Sequence, residues 1–589
     1  MPSSTFELPA PLSSLPAVTH AEPLTLLGIG FGPTHLALAA AFQETVADSG
    51  DKMCLFLEQK HAFSWHDALL LPQSKMQISF LKDLATFRNP TSRFTFLSYL
   101  HSRGVDRLAQ FSNVGSWTPT RVEWAGYLAW AAKQLDDIVR YSHRVLAVEP
   151  VLPDAGSGTK PAVRFLKVTV LDTLTQTIHI YVTRNLSVGT GATPYVPPIF
   201  APIILSSQTS CPGGSLISAK ATEDTAPLVH TSSYLPTLRR LFGEEASSTT
   251  FDGRFAVVGG GQSSAEVWND LGIRFPRARV DMVYRASTIV PADSTPFINS
   301  RAFDPSSTSK FFSLPGKERG GLLVELRRAN YACVEPELLE TMYRTLYKQR
   351  VAKDIALVRG DVNEKEIESL EQYRILAGTV VANVQVNFSA PHTAEHSDED
   401  VHHTHGPLDS VAISRTSSRS STDSRLSSSV DSRSPSVSRS ASEHEDSTLA
   451  GSHVFGQAPS ITLSYTSALS TQMQPTPASE TYTAVFLGTG YHRPPSSLAF
   501  LKHVGQYAPN LHRFLNNGGE DEEDGKVYKH WQEDLVGRDY SVNFENEKYD
   551  WQIGLFLLGT NERTHGLSDS LLSVGAVRAG EVTAALRGL

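Results

Sequence analysis

Two glycine-rich turns, each set between a short apolar strand and a helix, constrain this chain more than any other feature. The first is "LLGIGFGPTHLALA" (Leu26–Ala39) and the second "VVGGGQSSAE" (Val257–Glu266). A strand that runs into clustered glycines and then into a helix opens a βαβ unit, whose turn offers backbone N–H groups to a dinucleotide pyrophosphate. Around the first, "LTLLG" from Leu24 and "KMCLFLEQK" (Lys52–Lys60) read as buried strands, with Pro33–Ala47 as the crossover helix. Around the second, "RFAVVGGGQ" and "VDMVYRAS" flank a helix over Ser263–Leu271. The expected fold class is α/β, with two Rossmann-like doubly wound dinucleotide-binding domains and a smaller substrate-binding region.

The two turns differ in the residue that would read the ribose. In the first, Gly28 is expected to permit the sharp turn and Gly30 to let a phosphate approach the backbone, with Gly32 and Pro33 opening the helix. Glu58, at the end of the next strand, suits a nucleotide with a free 2′-hydroxyl, such as FAD or NAD. In the second turn, Gly259, Gly260 and Gly261 lead into Gln262 and Ser263, and the strand that follows ends at Arg285. An arginine there pairs with a 2′-phosphate through charge-assisted hydrogen bonds, so this site reads as NADPH. Two different nucleotides on one chain imply electron flow from NADPH to a bound flavin. Disulfide reductases share that layout but need a redox cysteine pair. The three cysteines here, Cys54, Cys211 and Cys333, are scattered, leaving O2 or an organic substrate as the acceptor.

The rest of the chain sets boundaries. At 589 residues, several domains are expected. A net charge of −9 argues against a nucleic-acid binder, and no apolar run approaches the ~20 residues of a membrane span. Residues 1–23 read as a disordered Pro/Ser-rich leader without a signal, and the cytoplasm is the expected compartment. Residues 24–250 are expected to form the first part of the FAD-binding domain, and 251–388 the NADPH-binding domain with substrate-binding segments. Residues 389–477, rich in Ser, His and Arg, read as a disordered insertion, in which His402, His403 and His405 fit a solvated linker better than a metal tract. Residues 478–589 are expected to return to the FAD-binding domain.

Longer motifs are more specific. "SWHDALLLPQSKMQISFLKDLATFRNPTSRFTFLSYL" (Ser64–Leu100), "GGGQSSAEVWNDL", "DSTPFINSRAFDP" and "NERTHGLSDSLLSVGAVR" resemble the fungal L-ornithine N5-monooxygenases, flavin-dependent N-hydroxylating enzymes of siderophore synthesis. The resemblance runs from about Leu24 to Gly588, broken by the insertion. It implies that FAD is held by Glu58, Gln59, Lys60, His61, Ala62, Phe63, Ser64, Trp65, His66 and Gln77, with Gln77 close to the reactive edge of the flavin. Val145 would meet the adenine, and Ser570, Leu571 and Leu572 would close over the isoalloxazine. NADPH would be held by Gly260, Gly261, Gln262, Ser263 and Arg285, joined by Asn330, Tyr331 and Ala332. The substrate L-ornithine would lie among Lys82, Asn299, Asn330 and Ser573, with Ser300, Arg301 and Ala302 beside Asn299; Ser568 is the alternative to Ser573. Gln77, Lys82 and Asn299 carry the implied catalytic roles. O2 would be activated on the reduced flavin as a C4a-hydroperoxide, and the family suggests a homotetramer. One departure is Thr483, which stands where the family often has an acid.

Three alternatives stay open at this stage. An L-lysine N6-monooxygenase differs by one methylene, worth only ~1–3 kcal/mol of discrimination. A broader flavin monooxygenase acting on sulfides or ketones is the other enzymatic reading, and a degenerate binding paralogue the non-enzymatic one.

Overall fold

The computed structural model describes residues 15–46, 53–153, 160–206, 227–360, 363, 370–387, 459–468, 477–516, 535–544 and 548–588. Its first sheet is built on apolar runs that are buried on both faces, as strands lying between helices must be. In chain order these elements are β1 (Ala17–Thr19), β2 (Leu24–Ile29), α1 (Pro33–Val46), β3 (Cys54–Leu57), α2 (Arg121–Lys133), β4 (His143–Pro150), β5 (Leu166–Asp172) and β6 (Thr177–Val188). β2 pairs in parallel with β3 on one side and with the C-terminal half of β6 on the other, while β4, β5 and β6 run antiparallel. The Ala-rich α1 presents Leu36 to Phe42 to a core shared with Trp124, Tyr127 and Leu128 of α2. Small side chains let α1 approach the C-terminal helix closely.

The second sheet is all parallel. Its strands are β7 (Leu228–His230), β8 (Arg254–Val258), β9 (Arg279–Val283), β10 (Tyr373–Leu376) and, later in the chain, Ala484–Leu487, in the order β7, Ala484–Leu487, β8, β9, β10. Helix α3 (Gln262–Arg274) crosses from β8 to β9, and α4 (Gly316–Arg327) and α5 (Pro336–Arg359) follow. Two expected boundaries therefore move. Leu228–His230 lies before residue 251 and Ala484–Leu487 after 478, yet both belong to the second sheet. Their short apolar runs carry no signal of which sheet they join, because partner choice is a long-range matter.

The insertion was expected to span 389–477. Residues 460–467, "SITLSYTS", instead form β12, which pairs antiparallel with β11 (Thr379–Asn387) and with β13 (Ser479–Tyr482). Ile461, Leu463 and Tyr465 alternate inward while Ser and Thr face out, so the outer face mimics the Ser-rich tract in composition. Asn387 pairs with Ser460, so the chain leaves and re-enters at neighbouring strand ends. The remainder of the expected insertion, 389–458 and 469–476, lies outside the described residues, as do 1–14 of the leader. Residues 17–19 of that leader are β1, paired in parallel with Ile178–Ile180. After these, β14 (Ala484–Leu487) closes the second sheet, β15 (Gly554–Leu557) returns to β6, and α6 (Gly575–Gly588) packs on α1.

One buried ion pair pins this return. Arg578 on α6 bonds Asp569 at 2.9 Å, with both side chains essentially without solvent, and reaches Thr34 Oγ1 at 3.0 Å at the start of α1. Asp569 also accepts from Asn561 N at 2.7 Å. Asp569→Ala leaves the guanidinium buried without its partner and is expected to cost about 3–5 kcal/mol. Denaturant unfolding of the purified variant measures this, and an unchanged midpoint would refute it.

Candidate active site

At the first turn the glycine roles shift by one position from expectation. Gly28 is still within β2, and a Cβ there would lie 2.2 Å from Phe56 Cδ1, so it serves packing. Gly30, with φ +87° and a carbonyl oxygen of Gly189 2.7 Å from where its Cβ would be, makes the turn. Gly32 is the glycine with open space before it, at the start of α1, where first-turn N–H groups lack upstream carbonyls. Glu58 accepts from Phe31 N at 2.7 Å and Lys60 N at 3.0 Å, so the expected ribose-reading acid also braces the turn.

Behind the turn lies His35, buried, with Nδ1 2.5 Å from Gly30 O and Nε2 2.8 Å from Ser187 Oγ. Burial, against the opposing pull of the Gly30 carbonyl, lowers its pKa to about 4. The unfolded chain takes up this proton near 6.5, the folded chain only near 4. Stability is therefore retained above pH 6.5 and lost as the pH falls through that window, by about 3 kcal/mol. The check is unfolding free energy against pH for the protein and for His35→Gln: the acid limb is expected to flatten in the variant, and identical limbs would contradict this role.

The segment after Glu58 forms an irregular rim. Gln59, Lys60, His61 and Ala62 are exposed, and Lys60 Nζ reaches Ser64 Oγ at 3.2 Å. Phe63 and Trp65 pack on the first core, and His66, in the left-handed region at φ 53°, stacks edge-on to Trp65. His143 N donates to Glu58 O at 2.9 Å, which brings the start of β4, and hence Val145, alongside this rim.

The second turn is tied to the first domain by a polar relay. Gln262 Oε1 accepts from Gln77 Nε2 at 3.3 Å and from Glu335 N at 2.8 Å, while Gln262 Nε2 donates to Glu266 at 2.8 Å. Glu266, almost fully buried, takes a two-pronged bond from Arg121 at 2.7 and 2.8 Å. Of the two serines, Ser264 is buried and donates to Gly488 O at 3.1 Å, whereas Ser263 stays half-buried at the helix start. Gly260 lies over Tyr284, and Ala332, at φ 55°, lies against Gly261. Arg285, exposed just past β9, has no carboxylate partner among the described residues.

The candidate substrate residues come together from distant positions. Lys82 Nζ is 3.5 Å from Asn299 Oδ1, 3.4 Å from Phe303 O and 3.7 Å from Asp304 Oδ1. Burial lowers the Lys82 pKa below the usual lysine value, and Asp304 opposes that shift. Asn299 opens a π-helical turn, Asn299–Phe303, the kind of local irregularity that recurs at functional sites. Its Nδ2 donates to Ser294 O at 2.7 Å, which aims its carbonyl oxygen at Lys82. The three neighbours diverge: Ser300 and Arg301 face solvent, and Ala302 is buried in the small core around Phe311 and Leu323. Asn330 ends the turn after α4, half-buried, with its N–H on Arg327 O. Lys82 shares one pocket with Pro33, Thr34, Trp124, Leu571 and Leu572, so the first turn's helix and the C-terminal loop meet at this lysine. Ser573 is buried, and its hydroxyl has no hydrogen-bond partner among the described residues.

Two functional candidates were not legible beforehand. Asp304 is the charge beside Lys82. Glu562, in the quoted "NERTHG" motif but given no role, gathers Tyr331 Oη, Ser570 Oγ and Arg327 (3.1 Å), and so links the Asn330–Ala332 stretch to the C-terminal loop. A buried acid followed by a Ser-containing loop was the only signal, and it fits many folds.

The family model for L-lysine 6-monooxygenase/L-ornithine 5-monooxygenase matches residues 22–401. The chain belongs to this family. An L-ornithine N(5)-monooxygenase of Mycosarcoma maydis is 31% identical over 98% of this chain and 86% of its own length. Another, from Burkholderia cepacia, is 41% identical over 55% of this chain and 66% of its own. Among solved structures, the ornithine hydroxylase PvdA of Pseudomonas aeruginosa has a TM-score of 0.65 and 28% identity, covering 97% of this chain and 99% of that one. A Kutzneria ornithine N-hydroxylase, KtzI, solved as FADred–NADP+–L-orn, has a TM-score of 0.64 and 25% identity over 96% and 99%. The α/β fold with two nucleotide-binding sheets is thus the fold of this monooxygenase family. Among the described residues no helix is long and apolar enough to cross a membrane.

Proposed function

We propose that this protein is an L-ornithine N5-monooxygenase using FAD, NADPH and O2 to make N5-hydroxyornithine. The observation that carries this reading is the part-buried meeting of Lys82 and Asn299, 217 positions apart, with Lys82 also lining a pocket with Pro33 and Thr34 at the start of α1. FAD would fit the first turn: Gly32 leaves room for a pyrophosphate at a helix start, and Glu58, at the end of β3, would meet the ribose. NADPH would fit the second, where Arg285 has no carboxylate partner among the described residues. The flavin, once reduced by NADPH, supplies the oxygen-activating chemistry.

The chain's own residues then bind and orient. The Lys82 ammonium holds the amino-acid carboxylate as a point charge. Asn299 accepts a hydrogen bond from the side-chain amine without stabilising its ammonium form as strongly as a carboxylate would. That matters because only the neutral amine has the lone pair to attack oxygen, and an alkyl amine is otherwise protonated up to about pH 10.4. The buried Ser573 hydroxyl is left to bond substrate, and Leu571 and Leu572 exclude water. The overall balance is ornithine, NADPH, O2 and a proton going to hydroxyornithine, NADP+ and water. Product formation with ornithine and lysine side by side, with NADPH and added FAD, tests it: ornithine is expected to dominate, and a clear preference for lysine would overturn the substrate assignment.

A further inference from the structure

The antiparallel half of the first sheet gathers three histidines and an aspartate from the ends of four strands. His143 of β4 lies opposite Asp172 of β5, and His179 of β6 lies opposite Val170, two residues along the same face as Asp172. His20, just after β1, brings its Nε2 to 3.1 Å from His179 Nδ1. Ligand atoms of His143, Asp172 and His179 all fall within 4.8 Å of one another. We propose that His143, His179 and Asp172, with His20 beside His179, form a binding site for a divalent transition metal of the zinc class.

Two imidazoles and one carboxylate suit an ion of borderline softness and leave a fourth tetrahedral position open. The outer contacts orient it. His143 Nδ1 sits 2.8 Å from Tyr141 O and donates there, which leaves the Nε2 lone pair outward. Asp172 is fixed by Leu174 N at 2.8 Å and Thr175 Oγ1 at 2.7 Å. Arg140 is an opposing charge nearby, but its guanidinium is turned to Asp137 O and Val139 O at 3.2 and 3.0 Å. Stacking explains the placing of His20, which lies 4.2 Å from the Tyr181 ring and nearly parallel to it. A bound ion would tie the three-residue β1 to β4 and β5, which it does not otherwise pair with.

The test uses tag-free, FAD-saturated full-length protein stripped with chelator and titrated with ZnCl2, with Co2+ as a visible probe. One equivalent is expected to bind with a dissociation constant below about 10 µM and to raise the unfolding temperature. His143→Ala and His179→Ala should each weaken binding about tenfold or more and abolish the thermal gain. FAD content reports whether they are folded, and His20→Gln, at the chain's edge, serves if they are not. A triple alanine change at His402, His403 and His405 should leave the equivalent intact. Zinc binding that survives His143→Ala and His179→Ala, or is lost with the 402–405 triple, overturns the proposal, as does no binding in this range.

Discussion

Arg285→Ala is expected to raise KM for NADPH about 30-fold while KM for NADH changes by less than about twofold, the ratio that ~2 kcal/mol of charge-assisted pairing supplies. The argument rests on position and on lack of competition. Arg285 stands just past β9, where a nucleotide bound at the second turn would present its adenosine ribose, and no described carboxylate pairs with it. Exposure works against a large effect, because an ion pair in water is worth ~0–1 kcal/mol. The 2′-phosphate outweighs that discount by its double charge and by its fit to the planar guanidinium fork, which two parallel hydrogen bonds can engage. Salt gives a second reading of the same contact: KM for NADPH should climb with ionic strength in the parent and hardly in the variant. Steady-state rates with both reduced nucleotides decide it, and an unchanged preference for NADPH in the variant would sink the assignment.

The parts of this molecule that were legible in the sequence are those specified locally. Leu24–Ile29 and Arg254–Val258 read as strands because uninterrupted apolar runs have nowhere to go but between two layers, and α1 and α3 follow from their spacing and their glycine-flanked starts. What failed depended on partners. The 460–467 strand hid because its outward Ser and Thr look like the tract before it, and only the inward Ile461, Leu463 and Tyr465 betray it. The turn role of Gly30 rather than Gly28 depends on Phe56 and Gly189, neither adjacent in sequence. At the site, Lys82 and Asn299 were found through motif resemblance; nothing in their own surroundings announces a contact across the fold. The relay from Arg121 through Glu266 and Gln262 to Gln77 was invisible for the same reason, although it ties the second glycine turn to the first domain. A polar side chain has no periodicity to disclose where it will be satisfied.

That relay ties the second turn to the first domain, but the fate of oxygen depends on the substrate end, where the second large effect is expected. Lys82→Ala should raise KM for ornithine roughly 100-fold, about 2.7 kcal/mol, and divert NADPH oxidation towards hydrogen peroxide. Two losses combine. The carboxylate of ornithine loses its cation, and Asp304, whose nearest charge at 3.7 Å was Lys82, becomes an unbalanced anion facing that same carboxylate. With substrate poorly held, its amine is seldom in place when oxygen is activated, so reduced cofactor is spent without hydroxylation. The second loss can be separated from the first. Lys82→Ala combined with Asp304→Asn removes the repulsion without restoring the cation, and should recover part of the ornithine affinity, about fivefold. Coupled assays of NADPH consumed, peroxide formed and hydroxylated product measure all three quantities. If the single variant keeps the parent's KM for ornithine and its coupling, Lys82 does not hold the substrate; if the double variant is no better than the single, Asp304 acts only as a structural neighbour of the lysine.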